Sequence, residues 1–327
     1  MMLSGAALSY LIFHKSNEEY TSLVSAANNS NSGNSYCNYN LVRLGGYEFV
    51  HPLMFAEPNC ESPSFSQIKS EITTVIDSYK QSGVIRTASV YLRGFEHGDW
   101  MEINGQEEFS PGSLLKVPEL ISFYKMDENK PGFLNKEIVY DKPLISPKAA
   151  VYLSKSIEVG KKYTIRELLY YMIAYSDNNA TMLLSTHLDT SIFKKTFTDL
   201  GLPVPCWTCS DYKITAKEYS LFMRVLHNAS YLSTQNSENC VEILTHSDFK
   251  DGIVAGLPVN IKIAHKFGEA GNATDHYLSE SALIYVNAMP YLITVMTEGP
   301  DLKKLPEVLK SISKLVYEKL PVEVAKI

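Results

Sequence analysis

The chain has 327 residues, a formal net charge of −6 and a hydrophobic content of 45%. This length allows one large domain or two ordinary ones with a well-buried core. The acidic balance and the absence of a long basic run argue against nucleic acid as a partner, and the composition argues against a disordered or multi-pass membrane protein.

The first 40 residues are predicted to be separate from the globular part. Residues 1–13 are apolar but shorter than a membrane span and lack a basic start. They fit an export signal or a membrane anchor; the alternatives are a short buried helix or a misassigned start codon. Residues 28–35 are polar and of low complexity, as in a flexible tether. This order favours export, so we expect an extracytoplasmic protein with a possible membrane tether at its N-terminus.

An irregular lead-in is predicted over residues 41–64, followed by a single domain over residues 65–320. Apolar residues at helical spacing predict a first helix between Phe65 and Tyr79. Two strand-like runs then start at Thr87 and Trp100 and are separated by a polar turn, which predicts a hairpin. Helical patterns dominate the chain from Ser113 to about Tyr231, as expected for an all-helical layer.

Strand patterns return after this helical layer. The three runs are VNIKIAHKFG, SALIYVNA and PYLITVMTEG, and a last amphipathic stretch from Leu302 to Leu320 predicts a closing helix. Strands at both ends of the domain therefore flank a helical middle. The predicted fold is α/β of the α+β type: one antiparallel sheet flanked by terminal helices, with an inserted all-helical lobe and a site between the two layers.

The five cysteines permit either redox compartment, and their connectivity cannot be read from the sequence. Cys206 and Cys209 have the spacing of half a zinc site or a redox pair, but no second pair and no nearby histidines complete a metal shell. A local disulfide or two buried thiols is the favoured interpretation. We expect neither a metal nor an organic cofactor.

The stretch FSPGSLLKVPELISFY, residues 109–124, predicts a helix that is apolar after Gly112 except for Ser113, Lys116, Glu119 and Ser122. Ser110 can cap this helix with Pro111 at its first position, and Lys116 then shares a face with Ser113. A buried unpaired ammonium is costly, so Lys116 either extends to the surface or is held inside for a purpose. A serine at a helix start, one turn from a partly neutral lysine, is a candidate nucleophile with a base within reach.

Two later stretches are ordinary when taken alone. Ser176, Asp177 and Asn178 interrupt an apolar helical run, and such residues usually form capped turns. Lys266 and Gly268 end a strand-like run, where a lysine at a sheet edge is commonplace and a glycine allows a substrate to approach the backbone.

Taken together and in this order, the three stretches resemble the motifs S-x-x-K, S-D-N and K-T-G of the penicillin-recognising serine hydrolases, in particular the class A β-lactamases. They stand here as Ser113-Leu114-Leu115-Lys116, Ser176-Asp177-Asn178 and Lys266-Phe267-Gly268. The resemblance extends from about residue 65 to residue 320. It implies a β-lactamase/transpeptidase-like fold and a monomer that acts on a small amide without a cofactor.

The resemblance implies a role for each matching residue. Ser113 would be the acylated nucleophile, and Lys116 would accept its proton. Asn178 and backbone carbonyls would hold Lys116 in place. Ser176 would relay a proton to the leaving nitrogen, and Lys266 would attract a substrate carboxylate.

Further roles follow from the same resemblance. Asn178 would also hydrogen-bond an amide of the acyl group, and Asp177 would be structural. The backbone N–H groups of Ser113 and Glu269 would form an oxyanion hole, which requires the strand that carries Gly268 and Glu269 to lie beside the helix start.

The sequence departs from the family pattern at two places. Phe267 replaces a hydroxyl residue, so one contact to a substrate carboxylate, worth about 1–3 kcal/mol, is missing unless His265 or Ser281 supplies it. The span Gly201–Thr215 lacks the E-x-x-N glutamate that deacylates class A enzymes. Asp211 is the acid in that span and the candidate for this step.

Three functions fit these observations. The first is a class A-like serine hydrolase with β-lactam hydrolysis as its nominal activity. The second is a D,D-peptidase that acts on peptidoglycan stem peptides, which the missing glutamate favours. The third is a catalytically silent module that binds cell wall, which Phe267 favours.

Overall fold

The computed structural model describes residues 37–144, 151–152, 154–206, 212–272, 274–286 and 289–320. Its α-helices are Ser66–Gln81 (α1), Lys116–Asn129 (α2), Ile165–Ala174 (α3), Asn178–Ser185 (α4), Thr190–Thr198 (α5), Ala216–His227 (α6), Thr234–Thr245 (α7) and Leu305–Lys319 (α8). Its strands are Tyr39–Arg43 (β1), Leu53–Pro58 (β2), Thr87–Gly94 (β3), Trp100–Ile103 (β4), Glu108–Phe109 (β5), Glu137–Val139 (β6), Lys162–Thr164 (β7), Ile214–Thr215 (β8), Lys262–Gly271 (β9), His276–Tyr285 (β10) and Tyr291–Gly299 (β11).

A five-stranded antiparallel sheet joins the two ends of the domain. Its strand order is β4-β3-β11-β10-β9, so the predicted N-terminal hairpin pairs with the three strands that follow the helical middle. The register between β9 and β10 places Lys266 opposite Ser281 and Phe267 opposite Glu280. Because side chains alternate between the faces of a strand, neighbouring β9 residues are directed to different layers. Strand β9 forms one edge of the sheet.

Helices α1 and α8 cover one face of the sheet. Ile68, Ile72 and Ile76 recur at helical spacing on α1 and are buried in one cluster with Val308 and Ile312 of α8. Burial of each such side chain stabilises the fold by about 1.5–3 kcal/mol. This packing explains why the amphipathic patterns at both ends of the domain predicted terminal helices correctly.

The helical lobe packs on the opposite face. Its apolar side chains, among them Leu120, Leu169 and Phe222, form a second buried cluster that also contains Leu283 and Leu292 of the sheet. The predicted fold, an antiparallel sheet with terminal helices and an inserted helical lobe, is confirmed. The boundary between the two layers places α2 and the turn between α3 and α4 next to strand β9.

The structure also contains short antiparallel ribbons that the sequence patterns did not indicate. Residues 41–64, predicted to be irregular, contain most of the β1–β2 ribbon, whose register shifts between Val42 and Arg43. The β6–β7 ribbon lies within the span predicted as helical, and so does β8, which pairs with β5 just before that span. Strands of two to six residues are too short for an alternation of apolar and polar residues to be recognised.

The cysteines in the described residues differ in oxidation state. Cys37, Cys60 and Cys206 are disulfide-bonded, whereas Cys240 is a free thiol buried on α7. Cys209, the other member of the predicted local pair, lies outside the described residues. Burial raises the pKa of the Cys240 thiol well above its usual range, so this group is inert as a nucleophile.

Residues 1–36, which carry the predicted export signal or anchor and the tether, also lie outside the described residues. Within the ranges that the structure describes, no helix has both the length and the apolar character needed to cross a bilayer.

A close backbone approach fixes the turn Gly112–Leu115 against strand β9. A Cβ atom added to Gly268 would lie 2.2 Å from the carbonyl oxygen of Pro111 and 2.8 Å from the amide nitrogen of Leu114. Gly112 has a positive φ of 52°, and a Cβ there would lie 2.3 Å from the carbonyl oxygen of Glu269. Gly268 has no space for a Cβ atom. Gly112 has no such space either, and its backbone conformation also favours glycine.

We expect Gly268→Ala to lower the free energy of unfolding by about 1–3 kcal/mol, because the added methyl group must push apart two backbone segments. Thermal unfolding followed by circular dichroism measures this loss. Gly45→Ala is the matched control, since nothing lies within 4 Å of a Cβ at that position. An equal, small effect of both substitutions would contradict the close packing of the turn on β9.

Candidate active site

Ser113 lies in a turn that precedes α2. Gly112–Leu115 forms a 3-10 turn, and the backbone N–H of Ser113 near its start has no intrahelical acceptor. The hydroxyl of the buried Tyr219 donates to the carbonyl oxygen of Leu114 at 3.0 Å and holds the turn in place. Ser113 itself is partly exposed, as a nucleophile must be.

Lys116, the first residue of α2, is buried and fully hydrogen-bonded. Its Nζ donates to the backbone oxygen of Ser176 at 2.6 Å, to Ser176 Oγ at 3.1 Å and to Asn178 Oδ1 at 2.7 Å. Burial lowers the pKa of Lys116 to about 8, against the opposing charges of Glu119 first and then Asp177 and Glu269. A substantial fraction is therefore neutral near pH 8 and able to accept a proton.

The turn between α3 and α4 presents Ser176 to both lysines. Ser176 has a φ of 52°, a left-handed conformation that is uncommon for a residue with a Cβ. Asp177 stabilises this turn: its side chain accepts from the backbone N–H of Asn179 at 2.9 Å and of Ile157 at 2.8 Å. The strained serine is therefore held by a buried carboxylate that caps the next helix, the structural role predicted for Asp177.

Lys266 of β9 completes a chain of hydrogen bonds. Its Nζ donates to Ser176 Oγ at 2.9 Å and to the backbone oxygen of Phe267 at 2.8 Å. Burial, and then the proximity of Lys116, hold the pKa of Lys266 well below its usual range. Ser176 Oγ thus lies between two amines, which is the geometry required to pass a proton from one side of the site to the other.

Phe267 belongs to a buried cluster of aromatic rings on the face of the sheet that the terminal helices cover. Its ring stacks on Phe249 with 4.3 Å between centroids, and Tyr152 meets it edge-on at 6.0 Å. Lys266 Nζ lies 4.2 Å from the centroid of the Phe267 ring. Lys266 is fully buried, so the predicted attraction of a substrate carboxylate has no exposed ammonium to act through.

The two residues considered as replacements for the missing hydroxyl are buried in the sheet and have hydrogen-bond partners there. Nδ1 of the buried His265 pairs with Oε1 of Glu280 at 2.7 Å. The hydroxyl of Ser281 pairs with that of Thr294 at 2.7 Å. His265 shares its strand face with Phe267, and Ser281 is opposite Lys266 on the neighbouring strand. Spacing along the sequence could not reveal these partners.

Glu269 follows Gly268 on β9, and its backbone adjoins Gly112. The strand therefore lies beside the turn that carries Ser113, as the predicted oxyanion hole requires. The Glu269 side chain accepts from the backbone N–H of Val151 at 3.1 Å. Burial raises the pKa of this carboxyl. The amide thus faces the nucleophile turn, while the side chain anchors a neighbouring loop.

Asp211, the predicted deacylation acid, lies outside the described residues. The acid that the structure adds is Glu119 on α2, for which the sequence predicted no role. Its side chain is 8% exposed, and Oε2 has no hydrogen-bond partner in the described part of the chain. Burial raises the pKa of Glu119 to about 7, although Lys116 opposes this. The feature of the sequence that pointed to Glu119 is its spacing of three residues from Lys116 on the same helix.

Metal chemistry has no evident site in the part of the chain that the structure describes. No group of three or more His, Cys, Asp or Glu side chains there is placed to hold a metal ion. The arrangement instead offers a serine, two buried lysines and a carboxyl, which suits nucleophilic and acid–base chemistry.

Comparisons with known proteins support this assignment of fold. The model of the beta-lactamase enzyme family matches residues 67–320. No curated protein matches the chain in sequence.

Solved structures share the architecture at low identity. PBP-A is 21% identical with a TM-score of 0.66, over 79% of this chain and 97% of PBP-A. A PBP-A mutant in an acyl-enzyme complex with penicillin G is 21% identical with a TM-score of 0.64, over 77% and 96% of the two chains. A class A beta-lactamase from Mycobacterium abscessus is 19% identical with a TM-score of 0.63, over 77% and 98%.

We expect Glu119→Gln to raise the thermal midpoint by a few degrees at pH 8 and to have little effect at pH 5. The folded-state pKa of Glu119 is raised, so the cost of ionising it is absent below about pH 4.5 and is complete above about pH 7. The glutamine side chain is neutral at every pH, so Glu119→Gln removes the cost of ionisation. Differential scanning calorimetry across this pH range measures the difference.

Glu57→Gln is the matched control for this measurement. Glu57 is also buried but accepts from Arg224 at 2.7 Å. Loss of the Glu57 carboxylate should leave Arg224 without its buried ion-pair partner and lower the thermal midpoint at pH 8. A decrease of the midpoint in both variants would contradict the unpaired state of Glu119.

Proposed function

The chain belongs to the beta-lactamase enzyme family, and on that premise we propose that it is a serine hydrolase that forms an acyl-enzyme on Ser113, with β-lactam hydrolysis as its nominal activity. The observation that carries this proposal is the hydrogen-bonded chain Lys116–Ser176–Lys266 beside Ser113. Burial that lowers the pKa of a lysine also destabilises the fold. A role as the base that activates Ser113 explains why such a lysine is present.

Acylation in this proposal begins with proton transfer from Ser113 to Lys116. Neutral Lys116 takes the proton of Ser113 as Oγ attacks the carbonyl carbon of the amide. The oxyanion is bound by the backbone N–H groups of Ser113 and Glu269. The C–N bond then breaks, and the proton on Lys116 passes through Ser176 to the leaving nitrogen, which restores neutral Lys116. The product is an ester on Ser113.

The aromatic cluster of Tyr152, Phe249 and Phe267 bears on which amide is cleaved. A β-lactam normally presents a carboxylate near the third motif, where this chain has rings and a buried lysine. Binding of such a carboxylate should therefore be weak. We expect slow acylation by penicillins, and a less acidic amide is compatible with this site.

A second candidate, a D,D-peptidase that acts on peptidoglycan stem peptides, is favoured by one observation. The span of residues 201–215 contains no glutamate to remove the acyl group. This candidate requires a penicilloyl adduct that persists on Ser113. Action outside the cytoplasm is part of both proposals and rests on the sequence of the N-terminal segment.

We expect the protein to gain one penicilloyl group on Ser113 and then lose it, while Ser113→Ala should reduce turnover of a chromogenic cephalosporin on the order of 10³-fold or more. Intact-mass spectrometry over time after mixing with penicillin G measures both phases. A stable adduct would indicate the peptidase.

Ser78→Ala on the exposed face of α1 is the control, because it removes a hydroxyl far from the site in sequence and is solvent-exposed. Absence of any adduct on the unmodified protein, with turnover equal to that of Ser113→Ala, would contradict the proposed function.

A further inference from the structure

Glu119 stands out among the buried carboxyls of the described residues because it alone has no hydrogen-bond partner. Glu57 accepts from Arg224 at 2.7 Å, Asp177 accepts from two backbone N–H groups, and Glu280 accepts from a backbone N–H and pairs with a buried histidine. Glu119 Oε2 is enclosed without a donor. A native protein rarely retains such a group without a functional reason.

The position of Glu119 on α2 directs it towards the chemistry. It lies three residues after Lys116 and six after Ser113, and helical side chains tilt towards the helix N-terminus. The carboxyl therefore extends back along the side of the helix that carries Lys116. Of the charges that act on Lys116, that of Glu119 is the strongest. Both groups are buried, and each acts on the charge of the other.

The proposed acylation mechanism leaves this carboxyl unused and the deacylation step without a base. Lys116 gives its three hydrogen bonds to Ser176 and Asn178. The span 201–215 supplies no glutamate. The Glu119 carboxyl is unpaired, and a small part of the residue remains accessible to solvent. It can therefore accept a hydrogen bond from a water molecule.

We propose that Glu119 is the general base of deacylation, in place of an acid from the loop. This inference rests on the proposed function. Glu119 takes a proton from a water molecule whose oxygen bonds to the carbonyl carbon of the Ser113 ester. The bond from that carbon to Ser113 Oγ then breaks, and Oγ receives the proton that Glu119 took from the water molecule. The products are a free carboxylic acid and the restored serine.

This role predicts the pH dependence of the two half-reactions. Burial raises the pKa of Glu119 to about 7, and Lys116 is the charged group that acts on it among the described residues. Burial lowers the pKa of Lys116 to about 8, although the charges of Glu119, Asp177 and Glu269 oppose this. Deacylation should therefore rise with pH through about 7, and acylation through about 8.

The test compares Glu119→Gln with the unmodified protein by intact-mass spectrometry after mixing with penicillin G. We expect acylation within about threefold of the unmodified rate, deacylation slowed about 10²- to 10⁴-fold, and loss of its rise through pH 7. Glu242→Gln, the same change on an exposed part of α7, is the control and should leave both rates unchanged.

Four results would overturn the inference: unchanged deacylation in Glu119→Gln, slowed acylation with normal deacylation, a stable adduct on the unmodified protein, or accumulation of adduct in Asp211→Asn instead. If Glu119→Gln does not fold, Glu119→Asp takes its place and should deacylate slowly with the rise through pH 7 retained. The absence of any adduct on the unmodified protein overturns the proposed function itself, which separates the two failures.

Discussion

The burial of Lys116 is the constraint on which the site depends. An ammonium removed from water costs several kcal/mol unless hydrogen bonds replace its hydration. Lys116 obtains these bonds from Ser176 and Asn178, which belong to a different segment, and Ser176 Oγ in turn accepts from Lys266 of the sheet. Three distant parts of the chain are thereby held together. No member of this network can move away without leaving a buried polar group unpaired.

The fold could be predicted because long periodic segments determine it. The stripe Ile68, Ile72, Ile76 predicted α1, and the strand-like runs around Lys266 and Thr294 predicted two strands of the sheet. The resemblance of the three motifs to those of the penicillin-recognising serine hydrolases also implied which side chains would meet around Lys116. Short ribbons such as β1–β2 were missed, since pairing with a partner strand, rather than local pattern, determines them.

Other features of the site depend on contacts between distant residues and could not be predicted. In the sequence, Glu119 is one polar residue in a helix, and only the packing of α2 reveals that its carboxyl is enclosed and unpaired. Phe267 was recognised as a departure, yet its stacking on Phe249 and its contact with Lys266 require the tertiary structure. Both residues break a local rule of composition, and both lie where the proposed chemistry takes place.

The close approach of the Gly112–Leu115 turn to Gly268 has a consequence for solubility. Strand β9 has ten residues and lies at the edge of the sheet, where free N–H and C=O groups invite pairing with another chain. The turn and helix α7 pack along this strand. Residues that build the nucleophile's surroundings therefore also shield the sheet from strand addition, so substitutions that loosen the turn should promote self-association.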